Sequence, residues 1–203
     1  MRVFFVFIVF LFGCEEVYEP GFDDIDVVSR EFVSVQEQWR ECRALEVYID
    51  NECTDEEIEI IEDSVDALNS AAGGEVMRVA GVQYWLDRSY EVVINDPSDQ
   101  MIFCIGVENE DILGSYNGTD IDLYVPRIEK SAEKFSRSYE QAFECIVKHE
   151  IVHMLSGRMS NGEHIEGANV MHPTAAHCVP DYSYEDSVLI DNIIEREMIC
   201  SQE

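Results

Sequence analysis

Alternating and β-rich segments recur along the chain and predict a sheet of four to five strands. Apolar and polar residues alternate at residues 45–49, which is the pattern of a strand with one buried face. Further segments rich in β-branched and aromatic residues lie at residues 76–82, 90–94, 101–107, 112–116 and 121–125. Helical patterns occur among them, so we expect an α+β domain whose layers surround one mixed, twisted sheet.

Apolar residues at helical spacing predict the helices that cover this sheet. Thr54 and Glu57 form a capping box, which marks the start of a helix. The apolar face of this N-terminal helix consists of Ile58, Ile61, Val65 and Leu68. A last, C-terminal helix begins at Ser183 and runs to about Met198. We expect residues 130–134 to form a loop and residues 27–41 to form a short helix or an ordered arm.

The helix predicted between these two contains the motif H-E-x-x-H at residues 149–153. Ser138 can cap its start and Gly157 can end it. His149 and His153 lie four residues apart on one helical face, so both imidazoles can reach one metal ion, and Glu150 can act on a water beside it. The motif predicts a zinc hydrolase and favours a peptidase. The competing interpretation is an amphipathic helix that carries two histidines by chance.

A catalytic zinc ion needs a third protein ligand, because three side chains hold it and a fourth position stays open for water. The histidines that remain in the chain are His164, His172 and His177. Glu163 and Glu166 flank His164 and are carboxylate candidates. The residues alone leave the choice among these side chains open.

The stretch from residue 149 to residue 173 resembles the metzincin metallopeptidases. In that family the motif extends to H-E-x-x-H-x-x-G-x-x-H, and a Met-turn follows it. Residues 169–173 (NVMHP) look like that turn, with Met171 as its methionine and Pro173 placed as in matrixin-like members. The chain departs from the pattern at Ser156, which stands at the family glycine, and at Met159, which stands at the family's third histidine.

The resemblance implies a metzincin-like single domain with one catalytic zinc ion. His164 precedes Met171 by seven residues, close to the family distance, so an enlarged turn over residues 156–163 would bring it to the metal. The implied ligands are then His149, His153 and His164, with Glu150 as general base and Met171 as a hydrophobic floor that does not bind the metal. Tyr182 and Tyr184 are candidates to hydrogen-bond a developing oxyanion.

These features predict a zinc-dependent endopeptidase that acts on a peptide or protein substrate. The alternative is a catalytically silent, metzincin-like surface binding lipoprotein. It is motivated by the departures from the family pattern at Ser156 and Met159. We expect a monomer.

The first residues predict export rather than part of the fold. A positive start followed by ten apolar residues at 3–12 is typical of a signal peptide and too short to span a bilayer. Residues 11–14 (LFGC) resemble the lipobox of bacterial lipoproteins, which implies removal of residues 1–13 and lipidation of Cys14. We expect residues 14–42 to form a lipidated tether and arm, and residues 43–203 to form the catalytic domain. The protein would then be exported to the cell envelope, where only the lipid anchors it to a bacterial membrane.

The strongly acidic composition limits the classes of partner. The chain has 203 residues and a formal net charge of −30, from 43 acidic and 13 basic residues. Nucleic acid is therefore excluded, because binding it requires Lys and Arg to displace counterions. Ca2+ is a further cofactor candidate, but Asp120 and Asp122 do not form an EF-hand pattern.

The cysteines predict disulfides, since the chain carries an even number of them beyond Cys14 and is expected to be exported. Cys42 with Cys53 and Cys178 with Cys200 are the pairs that sequence proximity suggests. For Cys145, one turn before His149, packing or a disulfide is favoured over metal binding.

Overall fold

The computed structural model describes residues 44–83, 100–107, 112–156, 164–167 and 169–197. Its strands are β1 (Leu45–Asp50), β2 (Met77–Gln83), β3 (Gln100–Ile105), β4 (Gly114–Tyr116) and β5 (Ile121–Tyr124). Its helices are α1 (Asp55–Ala71), α2 (Val125–Phe135), α3 (Tyr139–Ser156) and α4 (Tyr184–Glu197). Several predictions of the sequence lie outside the described residues: the signal peptide, Cys14, the tether and arm, the strand at residues 90–94, and the turn at residues 157–163.

Five strands form one mixed sheet in the order β2-β1-β3-β5-β4. β1 pairs in parallel with β2 and β3, and β3 pairs in parallel with β5. The short strand β4 is antiparallel to β5 and lies at one edge. β1 is an interior strand between β2 and β3, and its alternating residues Leu45, Val47 and Ile49 are fully buried. The predicted α+β class and mixed sheet of four to five strands are confirmed.

Helix α1 begins where the capping box predicts. The Thr54 hydroxyl accepts from Glu57 N at 3.3 Å, and Glu57 Oε2 accepts from Thr54 N at 2.7 Å. These bonds satisfy amide groups that have no partner within the helix. The predicted apolar face is buried at Ile61, Val65 and Leu68, and α1 packs against β2 and α3.

Helix α3, which carries the H-E-x-x-H motif, is covered by other elements on several sides. It packs against α1, α2, α4, β4 and β5, and every residue from Ile151 to Ser156 is buried. Such enclosure restricts the motif side chains to few conformations, because neighbouring elements occupy the space around them. In the described part of the chain, no helix combines the length and apolar character that crossing a bilayer requires.

The loop predicted at residues 130–134 is wrong, because these residues belong to helix α2. Pro126 lies in the first turn of α2, where a missing N–H costs nothing. Ile128 and Ala132 bury one face of the helix. Ser136 ends it in the left-handed conformation, with φ of 54°. The sequence pattern did not reveal this helix, because its apolar stripe is short and lies among charged residues.

Both predicted disulfide pairings are also wrong. Cys53 is bonded to Cys104, with the Cα atoms 5.1 Å apart, and Cys178 is bonded to Cys145, with the Cα atoms 6.1 Å apart. Neither can therefore pair with Cys42 or Cys200. The fold determines the pairing, because the first bond joins the turn after β1 to β3 and the second joins the segment before α4 to α3. The expectation of a disulfide or packing role for Cys145 is confirmed.

Replacing Cys53 and Cys104 together by alanine should lower the free energy of unfolding by about 4 kcal/mol, since this cross-link restricts a long loop of the unfolded chain. Urea unfolding under non-reducing conditions measures the change. Peptide mapping of the unreduced wild type should find the 53–104 and 145–178 pairs. A peptide that joins Cys42 to Cys53 would contradict the assignment.

Candidate metal centre

Three imidazole rings from two segments of the chain meet in one place. His149 Nε2 lies 3.1 Å from His153 Nε2 and 3.2 Å from His164 Nε2. The ligand atoms of all three residues lie within 4.8 Å of one another. His149 and His153 come from the last turns of α3, and His164 comes from the segment that follows it. The structure thus brings together the three histidines that the sequence analysis selected, here called the histidine cluster.

The spacing within the histidine cluster fits a tetrahedral ion. Two nitrogen ligands of a tetrahedral zinc ion, each about 2.05 Å from it, lie about 3.3 Å apart. The two separations at His149 Nε2 are close to that value. His153 is fully buried, His149 is half-buried and His164 is exposed, so the cluster spans the boundary between the core and the solvent. One side of the cluster is therefore open to solvent.

The electrostatic surroundings keep these imidazoles neutral, which a metal ligand must be. Burial lowers the pKa of His149 to about 4. Burial, reinforced by repulsion from His149 and His164, lowers the pKa of His153 to about 3. Burial and the nearby His172 also lower the pKa of His164. At neutral pH each ring therefore offers a lone pair rather than a positive charge.

A single peptide group orients His149. The ring donates from Nδ1 to the carbonyl oxygen of Val170 at 2.9 Å, which leaves the lone pair on Nε2 facing the cluster. On the other side of the same peptide group, Met171 N donates to Asp186 Oδ1 at 3.1 Å. The Asp186 carboxylate therefore acts on the ring through the backbone.

Asp186 is fully buried and accepts hydrogen bonds from several donors. Val170 N donates to its Oδ2 at 3.1 Å, and the amide and hydroxyl of Ser183 donate to the same oxygen at 2.8 Å each. Four donors compensate for the removal of the charge from water. The Asp186 amide also donates to the Ser183 hydroxyl oxygen at 3.1 Å, so Asp186 takes part in the cap of α4 and also holds residues 170–171.

Met171 connects the residues around His164 to the segment at residues 169–171. Its carbonyl oxygen accepts from Ile165 N at 3.0 Å, next in the chain to His164. The Met171 side chain is fully buried, and Pro173 is exposed. The backbone of the segment that resembles a Met-turn is therefore hydrogen-bonded both to the His149 side chain and to Ile165, the residue after His164.

Glu150 is 4% exposed and borders an open cavity of about 460 Å³ beside the histidine cluster. Strand β4 approaches it closely at Gly114. A Cβ atom on Gly114 would lie 2.7 Å from Ile146 Cγ2 and 3.0 Å from Glu150 Cγ. The absence of a side chain at this position lets the edge strand pack onto α3, and this packing limits where the Glu150 carboxylate can lie.

The other candidates do not join the cluster. His172 borders the cavity, but its Nδ1 accepts from Thr174 N at 3.0 Å, and its ring centroid lies 4.7 Å from that of the exposed His177. Glu166 is exposed, and Glu163 lies outside the described residues. Tyr182 and Tyr184 do not line the cavity.

No calcium site of carboxylates is found among the described residues. The second group with metal-ligand spacing there is Cys53, Glu57 and Cys104, whose cysteines form a disulfide and offer no thiolate. Asp120 accepts from Met101 N at 3.0 Å and from the Thr119 hydroxyl at 3.1 Å. It therefore links the start of β3 to the turn that precedes β5.

Sequence reasoning missed three contributors to the site. Asp186 and Gly114 act through long-range packing, for which the chain gives no local signal. Arg137 donates to the carbonyl oxygens of Ala175, Ala176 and Cys178 at 3.1, 3.0 and 2.6 Å. It thereby fixes the segment after Pro173, which forms one wall of the cavity.

Comparison with known proteins adds no assignment: no protein-family model and no curated protein matches the chain.

Asp186→Asn should weaken zinc binding about tenfold or more, because it removes the charge and one acceptor that orient the peptide group beside His149. Competition with a chromophoric chelator measures the affinity. Asp191→Asn is the matched control, since Asp191 is an exposed acid on the same helix. Equal zinc affinities for the two variants would contradict the role of Asp186.

Gly114→Ala should lower the free energy of unfolding by about 1–3 kcal/mol through overpacking against Ile146. Because the added methyl also meets Glu150, any Glu150-dependent hydrolysis should fall while the zinc content stays unchanged. Gly106→Ala is the control, since a Cβ there has no heavy atom within 4 Å. A Gly114→Ala protein as stable and as active as this control would refute the packing argument.

Proposed function

We propose that this protein is a zinc-dependent peptidase. The observation that carries the proposal is the convergence of three neutral imidazoles next to a buried glutamate at the edge of an open cavity. Donors of this type and spacing suit zinc in a catalytic site, which uses three protein ligands and keeps a fourth position open. His149, His153 and His164 would hold the ion. When bound, zinc would supply a lowered pKa for water and a polarised scissile carbonyl.

Glu150 would carry the proton transfers. Its carboxylate would accept a proton from the attacking water and then deliver it to the leaving amine, as general base and then general acid. Packing against β4 and within α3 favours this role, because a carboxylate with little freedom can stay close to the reacting atoms. His149 would keep its ring orientation through Val170 while the charge of the site changes.

The edge of the sheet favours an extended peptide as substrate. β4 lies at the edge of the described sheet, where it pairs with β5, and an extended peptide can add to a sheet as a further strand at such an edge. Gly114, the first residue of this strand, and the preceding Ile112 and Leu113 line the same cavity as Glu150. A peptide that pairs with β4 would therefore run past the histidine cluster.

The proposal includes membership of the metzincins, for which the segment of Met171 and its contacts with the histidine-bearing segments are the support. It also includes export and a lipid anchor at Cys14, for which the N-terminal sequence is the support. The alternative, a surface binding protein without catalysis, would keep the zinc and lose turnover. The departures from the family motif at Ser156 and Met159 motivate it.

Glu150→Gln should retain one zinc ion per chain and lose hydrolysis by about 10²–10⁴-fold, because the proton carrier is gone. Zinc analysis and cleavage of a peptide library measure the two quantities. Glu166→Gln, which makes the same change at an exposed position beyond His164, is the control and should stay active. His164→Ala should lose zinc, whereas His177→Ala should keep it.

Wild-type protein that binds one zinc ion but cleaves no peptide would support the binding alternative and overturn the peptidase proposal. Wild-type protein without zinc would overturn both.

A further inference from the structure

One face of helix α2 carries a row of basic side chains that lines the cavity next to Glu150. Arg127, Lys130 and Lys134 follow one another at helical spacing, with Ser131 between them, and all four residues border the cavity. Glu129 and Glu133 belong to the same helix but are not among the residues that line it. The helix therefore directs its cations toward the candidate site and its acids elsewhere.

This concentration of positive charge is unusual for the chain. Only 13 of the 203 residues are basic and 43 are acidic, yet three cations and one carboxylate, Glu150, are found in the described lining of the cavity. Random placement of so few cations would favour an acidic cavity. The local charge next to the candidate site is thus opposite to the charge of the whole molecule.

Three basic residues elsewhere in the described chain have structural partners. Arg137 donates to three carbonyl oxygens, Lys148 Nζ lies 2.6 Å from Glu144 Oε1, and Arg78 pairs with Glu46. At the cavity, Lys134 lies over the Phe135 ring, 5.2 Å from its centroid. Within the described residues, no carboxylate forms an ion pair with Arg127 or Lys134. These two cations are therefore placed to bind a ligand.

From this arrangement, and on the basis of the proposed peptidase function, we infer that the cavity binds an aspartate or glutamate side chain next to the scissile bond. Arg127 is the principal partner, because it is half-buried and its planar guanidinium matches a carboxylate with two parallel hydrogen bonds. Lys134 adds charge at the exposed end of the row. Leu113, Ile146 and Phe135 border the same space and can contact the methylene groups of a glutamate.

The net charge of the molecule favours the opposite preference, for basic peptides. Its field is screened over about 8 Å at physiological ionic strength, whereas a carboxylate in the cavity would contact Arg127 directly. The short-range contact therefore decides the selectivity within the site. It should weaken as salt is added, because the cavity is open to solvent.

The test uses matched peptides that differ only by Glu, Gln or Lys at each residue flanking the scissile bond. The zinc-loaded wild type should cleave the best Glu peptide about tenfold faster than its Gln counterpart in kcat/KM, and the Lys peptide most slowly. Arg127→Gln with Lys134→Gln should reduce the Glu preference to about twofold or less. Arg78→Gln, which removes a cation remote from the cavity, should leave it unchanged.

Reversing the charge at the cavity should create a new peptide preference rather than only remove the original one. Arg127→Glu with Lys134→Glu should prefer the Lys peptide over the Glu peptide, which a merely misfolded variant would not do. A wild type that cleaves the Gln or Lys peptide at least as well as the Glu peptide would overturn the inference and leave the peptidase proposal intact.

A binding measurement separates the two proposals further. Zinc-loaded Glu150→Gln protein should bind a fluorescent Glu peptide about tenfold more tightly than the Gln peptide, as measured by anisotropy, and the added changes at Arg127 and Lys134 should remove the difference. If the wild type cleaves nothing but this selectivity is present, the peptidase proposal fails and the carboxylate site stands. Absence of the selectivity overturns the inference.

Discussion

The hydrogen bond from His149 to the carbonyl of Val170 is the interaction on which the candidate metal centre depends. It turns the lone pair of His149 toward His153 and His164, and its acceptor belongs to a peptide group that Asp186 holds from the other side. The carbonyl of Met171 then fixes the backbone next to His164. Val170 and Met171 thus connect helix α3, helix α4 and the segment that carries His164. His164, the exposed member of the histidine cluster, lies outside any helix, but the next residue, Ile165, donates to the carbonyl oxygen of the buried Met171.

The edge of the sheet and helix α2 give this centre its surroundings. Gly114 allows β4 to approach α3 so closely that Glu150 has a packed wall on one side, while Arg127, Lys130 and Lys134 supply positive charge to the cavity on its other side. A protein with a net charge of −30 therefore presents a basic surface where a substrate would bind. If the proposed selectivity holds, solubility and selectivity would be governed by different groups of residues, which act over different distances.

Local patterns in the sequence predicted the structural features that are determined by residues close together along the chain. The capping box at Thr54, the alternation in β1 and the spacing of His149 and His153 each reflect a backbone period, and all three are realised in the structure. His164 was selected by the resemblance and not by its spacing. The contacts of Asp186 with residues 170–171, the approach of Gly114 to Glu150 and the pairing of Cys53 with Cys104 join residues distant in sequence, so only the packed fold could reveal them. Helix α2 was missed because its buried stripe is limited to Ile128 and Ala132.

Anomalous diffraction at the zinc absorption edge, from crystals of the protein grown with zinc, tests the central claim most directly. A single anomalous peak about 2.0–2.1 Å from the Nε2 atoms of His149, His153 and His164 is the predicted result. A peak at His172 and His177, or the absence of any peak between the three predicted rings, would contradict it.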